Sequence, residues 1–228
     1  MQLYVGSNTS FKVGNTDVPV QMETNYPWEG KVSITVNPKS KTTFALHLRI
    51  PGWLQGEPAP GQLYNFREGT PGAFTLTVNG QPAPYKMEKG YAVIQRDWKK
   101  GDVVELNLPM EVKRIASREE LSYNTDRVAL QRGPLVYCVE GADNEGKAWN
   151  VLLPDQTNIT TEPYTVLTEP VIALKAQAPV VSISDDGQSV RTDVKTITAI
   201  PYYTWCNRGQ NPMQVWLPRR IKDVKLNY

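Results

Sequence analysis

A structure breaker stands at about every seventh position of this chain, with 16 glycines and 18 prolines spread through 228 residues. Inside a helix glycine costs roughly 1 kcal/mol and proline roughly 3 kcal/mol, so long helices do not survive that density. Short strands joined by turns do, because turns make use of both residues. The side chains between the breakers alternate with period two. In Val32-Ser33-Ile34-Thr35-Val36 the aliphatic residues fall on one face and the hydroxyls on the other. Phe44, Leu46, Leu48 and Ile50 share a face of the next segment, and Phe74, Leu76 and Val78 share a face of a third. Such alternation marks strands buried on one side, as in antiparallel sheets. Asn79-Gly80 follows directly and predicts a hairpin, since both residues accept positive φ. Residues 91–94 and 104–108 predict further strands, the second stopped by Pro109.

Ser117-Arg118-Glu119-Glu120 has the spacing of a capping box, but too few residues follow for a helix. Residues 113–121 therefore read as a turn, or a single helical turn, between two domains. Beyond it, residues 128–131, 135–139, 166–174, 196–200 and 214–217 predict strands, and 224–226 an edge strand. Ser184-Asp185-Asp186-Gly187 predicts a turn. No fixed-period repeat is present, which argues against propellers and solenoids. The fold class that follows is all-β: two tandem antiparallel β-sandwiches of jelly-roll or Ig-like kind. The first is expected over residues 1–117 and the second over 118–228, with the last strand free to return to the first.

The composition narrows the function. Lys plus Arg number 25 against 23 acids, a net charge of +2, which argues against a nucleic-acid partner. The longest apolar run, Leu135-Val136-Tyr137-Cys138-Val139, is far short of the roughly 18 residues of a membrane span. The opening residues 1–6 carry no signal-peptide pattern and read like a strand entered midway. One histidine and two cysteines are too few for a multi-ligand metal site or a disulfide scaffold. His47 lies on the polar face of its strand, the place of a surface histidine. Cys138 and Cys206 sit among apolar and aromatic neighbours and read as two buried free thiols. The adjacent acids Glu119-Glu120 and Asp185-Asp186 read as solvated turn charges rather than as a hydrolytic pair. No nucleophile elbow, phosphate loop or zinc-protease motif is present, so neither catalytic nor metal residues are expected.

Aromatic residues are the conspicuous surplus: 6 Trp, 11 Tyr and 4 Phe, several of them in turn-rich contexts. The clusters are Tyr26-Pro27-Trp28, Pro51-Gly52-Trp53 and Tyr202-Tyr203-Thr204-Trp205. The preferred reading is that these rings close sandwich ends or pack against another domain. The alternative is a carbohydrate-binding module in which exposed rings, Trp28 and Trp53 foremost, stack on sugars.

Seven stretches in order carry a family resemblance. They are Glu23-Thr24-Asn25-Tyr26-Pro27-Trp28-Glu29-Gly30, Leu48-Arg49-Ile50-Pro51-Gly52-Trp53, Thr77-Val78-Asn79-Gly80, Gly90-Tyr91, Trp98-Lys99-Lys100-Gly101-Asp102, Arg132-Gly133-Pro134-Leu135-Val136-Tyr137-Cys138 and Ile200-Pro201-Tyr202-Tyr203-Thr204-Trp205-Cys206-Asn207-Arg208-Gly209. Together they resemble the C-terminal region of family 127 glycoside hydrolases, of the β-L-arabinofuranosidase type. The resemblance implies a preceding (α/α)6 barrel that holds the chemistry, a cysteine nucleophile on zinc with an acidic acid/base. That family's Cys-Cys doublet is lacking here, so no catalytic residue is carried over and zinc is expected only in the barrel. The implied role is non-catalytic: to support the barrel, with room for homodimerisation and for a glycan partner. The implied setting is bacterial, periplasmic or secreted. Tyr202, Tyr203, Trp205, Asn207 and Arg208 are the residues expected to meet the barrel, the arginine as an anchor for carbonyls or carboxylates.

Overall fold

The structure, a computed structural model, describes residues 1–69, 72–184 and 187–224. In chain order its strands are β1 (Ser7–Val13), β2 (Thr16–Thr24), β3 (Lys31–Val36), β4 (Thr42–Arg49), β5 (Tyr64–Phe66), β6 (Thr75–Val78), β7 (Gln81–Pro82), β8 (Lys86–Glu88), β9 (Tyr91–Trp98), β10 (Asp102–Asn107), β11 (Val112–Ser117), β12 (Arg127–Arg132), β13 (Leu135–Glu140), β14 (Ile159–Val166), β15 (Glu169–Ile183), β16 (Val190–Pro201), β17 (Met213–Gln214) and β18 (Leu217–Pro218). The only helical pieces among the described residues are short 3-10 turns. Two units result: Met1–Glu57 with Thr70–Glu111, and Pro58–Gly69 with Val112–Tyr228.

The first unit is a sandwich of a sheet ordered β1-β2-β3-β10-β6-β7 and a sheet ordered β4-β9-β8. The register sets Val32 opposite Leu106 and Ile34 opposite Val104, and all four side chains are buried. Each such burial contributes about 1.5–3 kcal/mol, which is why the alternating pattern dictates the pairing. Phe11 of β1 meets Phe44 of β4 edge-on at 5.6 Å, and Phe44 stacks on Trp98 of β9, so rings tie one sheet to the other. The predicted hairpin is present: Asn79 and Gly80 have φ of 51° and 76°. Asn79 also donates to Asp102 at 2.9 Å and accepts from the Val103 N–H at 2.8 Å. Burial pushes the Asp102 carboxyl up, but the Asn79 amide and the Lys99 N–H outweigh it and hold the group below its usual range. The expectation for residues 91–94 and 104–108 is met by β9 and β10. Residues 1–6 form no strand; the Met1 amino group instead donates to the His47 carbonyl at the edge of β4. The hairpin of β1 and β2 was not anticipated, although Gly14-Asn15 at its turn is a recognised hairpin pair.

The second unit is built on a sheet ordered β14-β15-β16-β13-β12-β11-β5. The β12–β13 hairpin is paired at its closed end, Leu130 to Tyr137. Its spread end takes other partners: β18 adds to β12 at Val128, and β17 adds to β13 at Glu140. Val128, Leu130, Tyr137, Val139, Leu174 and Ile197 form the heart of the core.

Three expectations change here. The boundary expected at 117/118 falls after Glu111 instead, because β11 pairs with β12 on one side and β5 on the other. The segment 113–121, expected as a turn, is β11 up to Ser117; its buried Ile115 gains more as a strand residue than a capping box offers. The strand expected over 166–174 is split by a turn in which Leu167 has φ 56°, so it is the end of β14 and the start of β15. The segment 213–218 pairs within the second unit, as β17 on β13 and β18 on β12. The edge strand expected at 224–226 and the turn at 184–187 fall largely on residues outside those described.

Candidate functional site

The loop after β16 is shaped by its own side chains. Residues Tyr202–Thr204 make a 3-10 turn, which the Thr204 hydroxyl closes onto the Pro201 carbonyl at 2.7 Å. The Trp205 N–H donates to the Tyr202 carbonyl, which brings the two rings parallel, 6.1 Å apart and 8° from coplanar. Asn207 donates to the Thr204 carbonyl at 3.1 Å. Cys206 takes a left-handed φ of 69°, and Gly209 one of 85°, so the chain doubles back on itself. Tyr202 and Tyr203 are left 46% and 59% exposed.

Beneath the rings is an ion cluster. Glu140, the last residue of β13, is fully buried, and Asp143 sits in the 3-10 turn Gly141–Asp143. Arg208 reaches both: Nη1 to Asp143 Oδ1 at 2.6 Å, Nη2 to Asp143 Oδ2 at 2.5 Å, and Nη2 to Glu140 Oε2. Tyr164 donates to Asp143 at 2.7 Å, and the Cys206 N–H donates to Glu140 at 3.3 Å. Two buried acids share one guanidinium and two further donors, the condition under which buried charge is tolerated. Asp143 and then Glu140 raise the Arg208 pKa beyond its ordinary value, and the Asp143 bond raises that of Tyr164. Gly141 makes the turn fit: a Cβ there would lie 2.8 Å from the Pro212 ring.

The five loop residues expected at an interface are therefore brought together, but in two roles. Tyr202 and Tyr203 face outward, and Asn207 is an exposed brace. Arg208, expected as an interface anchor for carbonyls or carboxylates, is bound to carboxylates of its own unit. Glu140, Asp143 and Tyr164 went unnoticed in the sequence; the buried Glu140 ends an otherwise apolar strand, and only that anomaly marks it.

The other candidates lie elsewhere. Trp53 is 7% exposed inside the first unit and Trp28 is half-buried, in keeping with the preferred reading that these rings pack rather than with the carbohydrate-binding alternative. Trp53 goes inward because the 3-10 turn Gly52–Gln55 folds under Pro51. His47 is exposed on β4, as expected. Cys138 and Cys206 are both free, but only Cys138 is buried; positive φ at Cys206 turns that residue to the surface. Burial, then the charges of Glu140 and Asp143, push the Cys138 thiol up to about 12. That is the wrong direction for a thiolate nucleophile or zinc ligand. No group of three or more His, Cys, Asp or Glu among the described residues is arranged to hold a metal ion. No described helix is long and apolar enough to cross a membrane.

Comparison with known proteins divides the chain at the same place, near residue 111, but assigns residues 58–69 to the first domain rather than to the second unit. Residues 1–110 match the family model described as the β-L-arabinofuranosidase GH127 middle domain, and residues 112–218 that of the glycoside hydrolase family 127 C-terminal domain. The chain is 31% identical over 234 residues to the non-reducing end β-L-arabinofuranosidase of Bifidobacterium longum subsp. longum, covering 95% of this chain and 32% of that protein. Among solved structures, the GH127 β-arabinofuranosidase BT3674 superposes with a TM-score of 0.91 at 32% identity, covering 98% of this chain and 35% of that one. Ara127N-Se, a GH127 β-L-arabinofuranosidase from Geobacillus stearothermophilus T6, gives 0.82 at 37% identity, covering 95% and 33%. The chain thus spans about a third of the length of the relatives it matches.

Proposed function

On the premise that this chain belongs to glycoside hydrolase family 127, as its middle and C-terminal domains, we propose that it is the non-catalytic β portion of an arabinofuranosidase-like hydrolase. Its work on this reading is to dock against and support an N-terminal catalytic barrel. The nucleophile and zinc then belong to the barrel, and neither cysteine here takes part. The observation that carries the reading is the loop 202–209. Its tyrosines are turned outward while Arg208 ties its base to Glu140 and Asp143, so exposed ring surface is held on a rigid support. Rigid, exposed aromatics cost little conformational entropy on docking and are typical interface anchors.

The test uses the longer polypeptide in which this region follows a barrel, with the 228-residue chain in parallel. The double substitution Tyr202→Ala/Tyr203→Ala should lower the melting temperature of the longer protein and leave that of the chain alone unchanged. The chain alone should not hydrolyse an aryl β-L-arabinofuranoside. Turnover by the purified chain that a point substitution within it abolishes would overturn the proposal, as would an unaltered longer protein carrying both alanines.

A further inference from the structure

We propose that the open face of the β4-β9-β8 sheet is a binding groove for a neutral oligosaccharide. The inference is independent of the docking role and concerns the first unit alone. Register places its residues. His47 lies opposite Val93, which lies opposite Lys86; Ala45 lies opposite Gln95; Glu88 lies two positions along from Lys86 on the same face. The other face of the sheet carries Leu46, Leu48, Ala92 and Ile94, all buried in the core. On the open face the small side chains of Ala45 and Val93 leave a floor. Tyr85, just before β8, makes a wall, and the resulting groove encloses about 500 Å³.

Two features of the groove point to a sugar. The first is its unused hydrogen-bonding capacity. Further along the same face polar groups are paired: Asp97 holds Thr43 and Lys41, and Arg49 reaches the Gly90 carbonyl. Within the groove the side chains of Lys86, Glu88 and Gln95 make no hydrogen bond or ion pair with the described residues, and the His47 imidazole makes only an edge contact with Tyr91 at 6.2 Å. An amide, a carboxylate, an ammonium and an imidazole together supply donors and acceptors, which matches hydroxyls that do both. The second is the ring. Tyr85 is 43% exposed and is braced by Phe74, with centroids 5.4 Å apart, so it is held in place with part of its surface open. A ring beside an apolar floor takes the C–H face of a sugar, while the polar groups take its edge. Lys86 and Glu88 cancel in charge, which suits a neutral ligand rather than a phosphate or a charged peptide. The groove is open to solvent rather than enclosed, which suits several linked sugars better than one.

The experiment titrates the 228-residue chain with neutral arabino-, xylo- and gluco-oligosaccharides, read by calorimetry and by backbone amide shifts. At least one series should saturate, with shifts confined to β4, β8 and β9. Tyr85→Ala and Gln95→Ala should each weaken binding about tenfold at unchanged melting temperature. Tyr123→Ala, which removes a 95% exposed ring outside the groove, should not. Absence of saturation with every series would overturn the proposal, and so would binding that survives both groove substitutions. Because no barrel is present, failure here leaves the docking proposal standing, and failure of docking leaves this one.

Discussion

Arg208 shows how much one side chain can settle. Its guanidinium reaches the fully buried Glu140 and shares itself with Asp143. Truncating one partner of a buried pair strands the other charge in low dielectric, at about 3–5 kcal/mol. Arg208→Ala should therefore lower the unfolding free energy of the second unit by about that amount, measured by urea denaturation. Tyr202→Ala, on the outer side of the same loop, should stay within about 0.5 kcal/mol of the parent chain, as surface substitutions usually do. The sequence placed Arg208 in an aromatic loop and suggested an interface anchor for carbonyls or carboxylates. Nothing local could reveal that the acids lie 65 and 68 positions earlier in the same chain. Cys206 makes a similar point. Its aromatic neighbours suggested burial, yet a single left-handed φ turns it out.

Among the elements, most strands with clear alternation or a short apolar run were legible, and those of mixed pattern were not. β3, β4, β6 and β10 alternate and β9 carries the apolar run Ala92-Val93-Ile94, and each was expected near its observed place. β11 was missed because Lys113 and Arg114 break its pattern. Arg114 is spent on Glu68 at 2.8 Å, a partner from a distant segment. β1 was missed because most of it is exposed, and β2 was missed although Val18, Val20 and Met22 alternate into the core. Gly30, which leads into β3, illustrates a requirement that no sequence pattern displays. It has ordinary φ, but a Cβ there would lie 1.7 Å from the Leu108 carbonyl oxygen, while its own carbonyl accepts from the Leu108 N–H at 2.9 Å. Gly30→Ala must push apart the chain leading into β3 and the chain leaving β10. It should cost about 3 kcal/mol, the upper end for overpacking, and lower the melting temperature of the first unit accordingly, read by thermal unfolding.

At the scale of the whole molecule the two units are not simply consecutive. The chain leaves the first unit after Glu57, places β5 in the second, and comes back before β6. That excursion supplies the outer neighbour of β11, the Glu68 partner of Arg114, and the ring of Tyr64, stacked on Trp216 at 5.6 Å. Residues 112–218, although they match a family domain on their own, are therefore incomplete as a folding unit. A chain cut to residues 112–228 should melt below the second unit of the intact chain, and a peptide of residues 58–69 added in trans should restore part of the loss. Equal melting temperatures would show that β5 contributes nothing.

By itself the sequence determined the all-β class, most of the sandwich strands and the family, because breaker density, period-two alternation and ordered short motifs are all local along the chain. Only the tertiary structure decided where one unit ends, that Arg208 binds acids of its own unit, that Trp53 is buried, and that polar groups without a partner among the described residues gather beside Tyr85. Each of those depends on residues tens of positions apart meeting in space, and on whether a polar group finds its partner there. Alternation says which face of a strand is buried; it cannot say what the other face will meet.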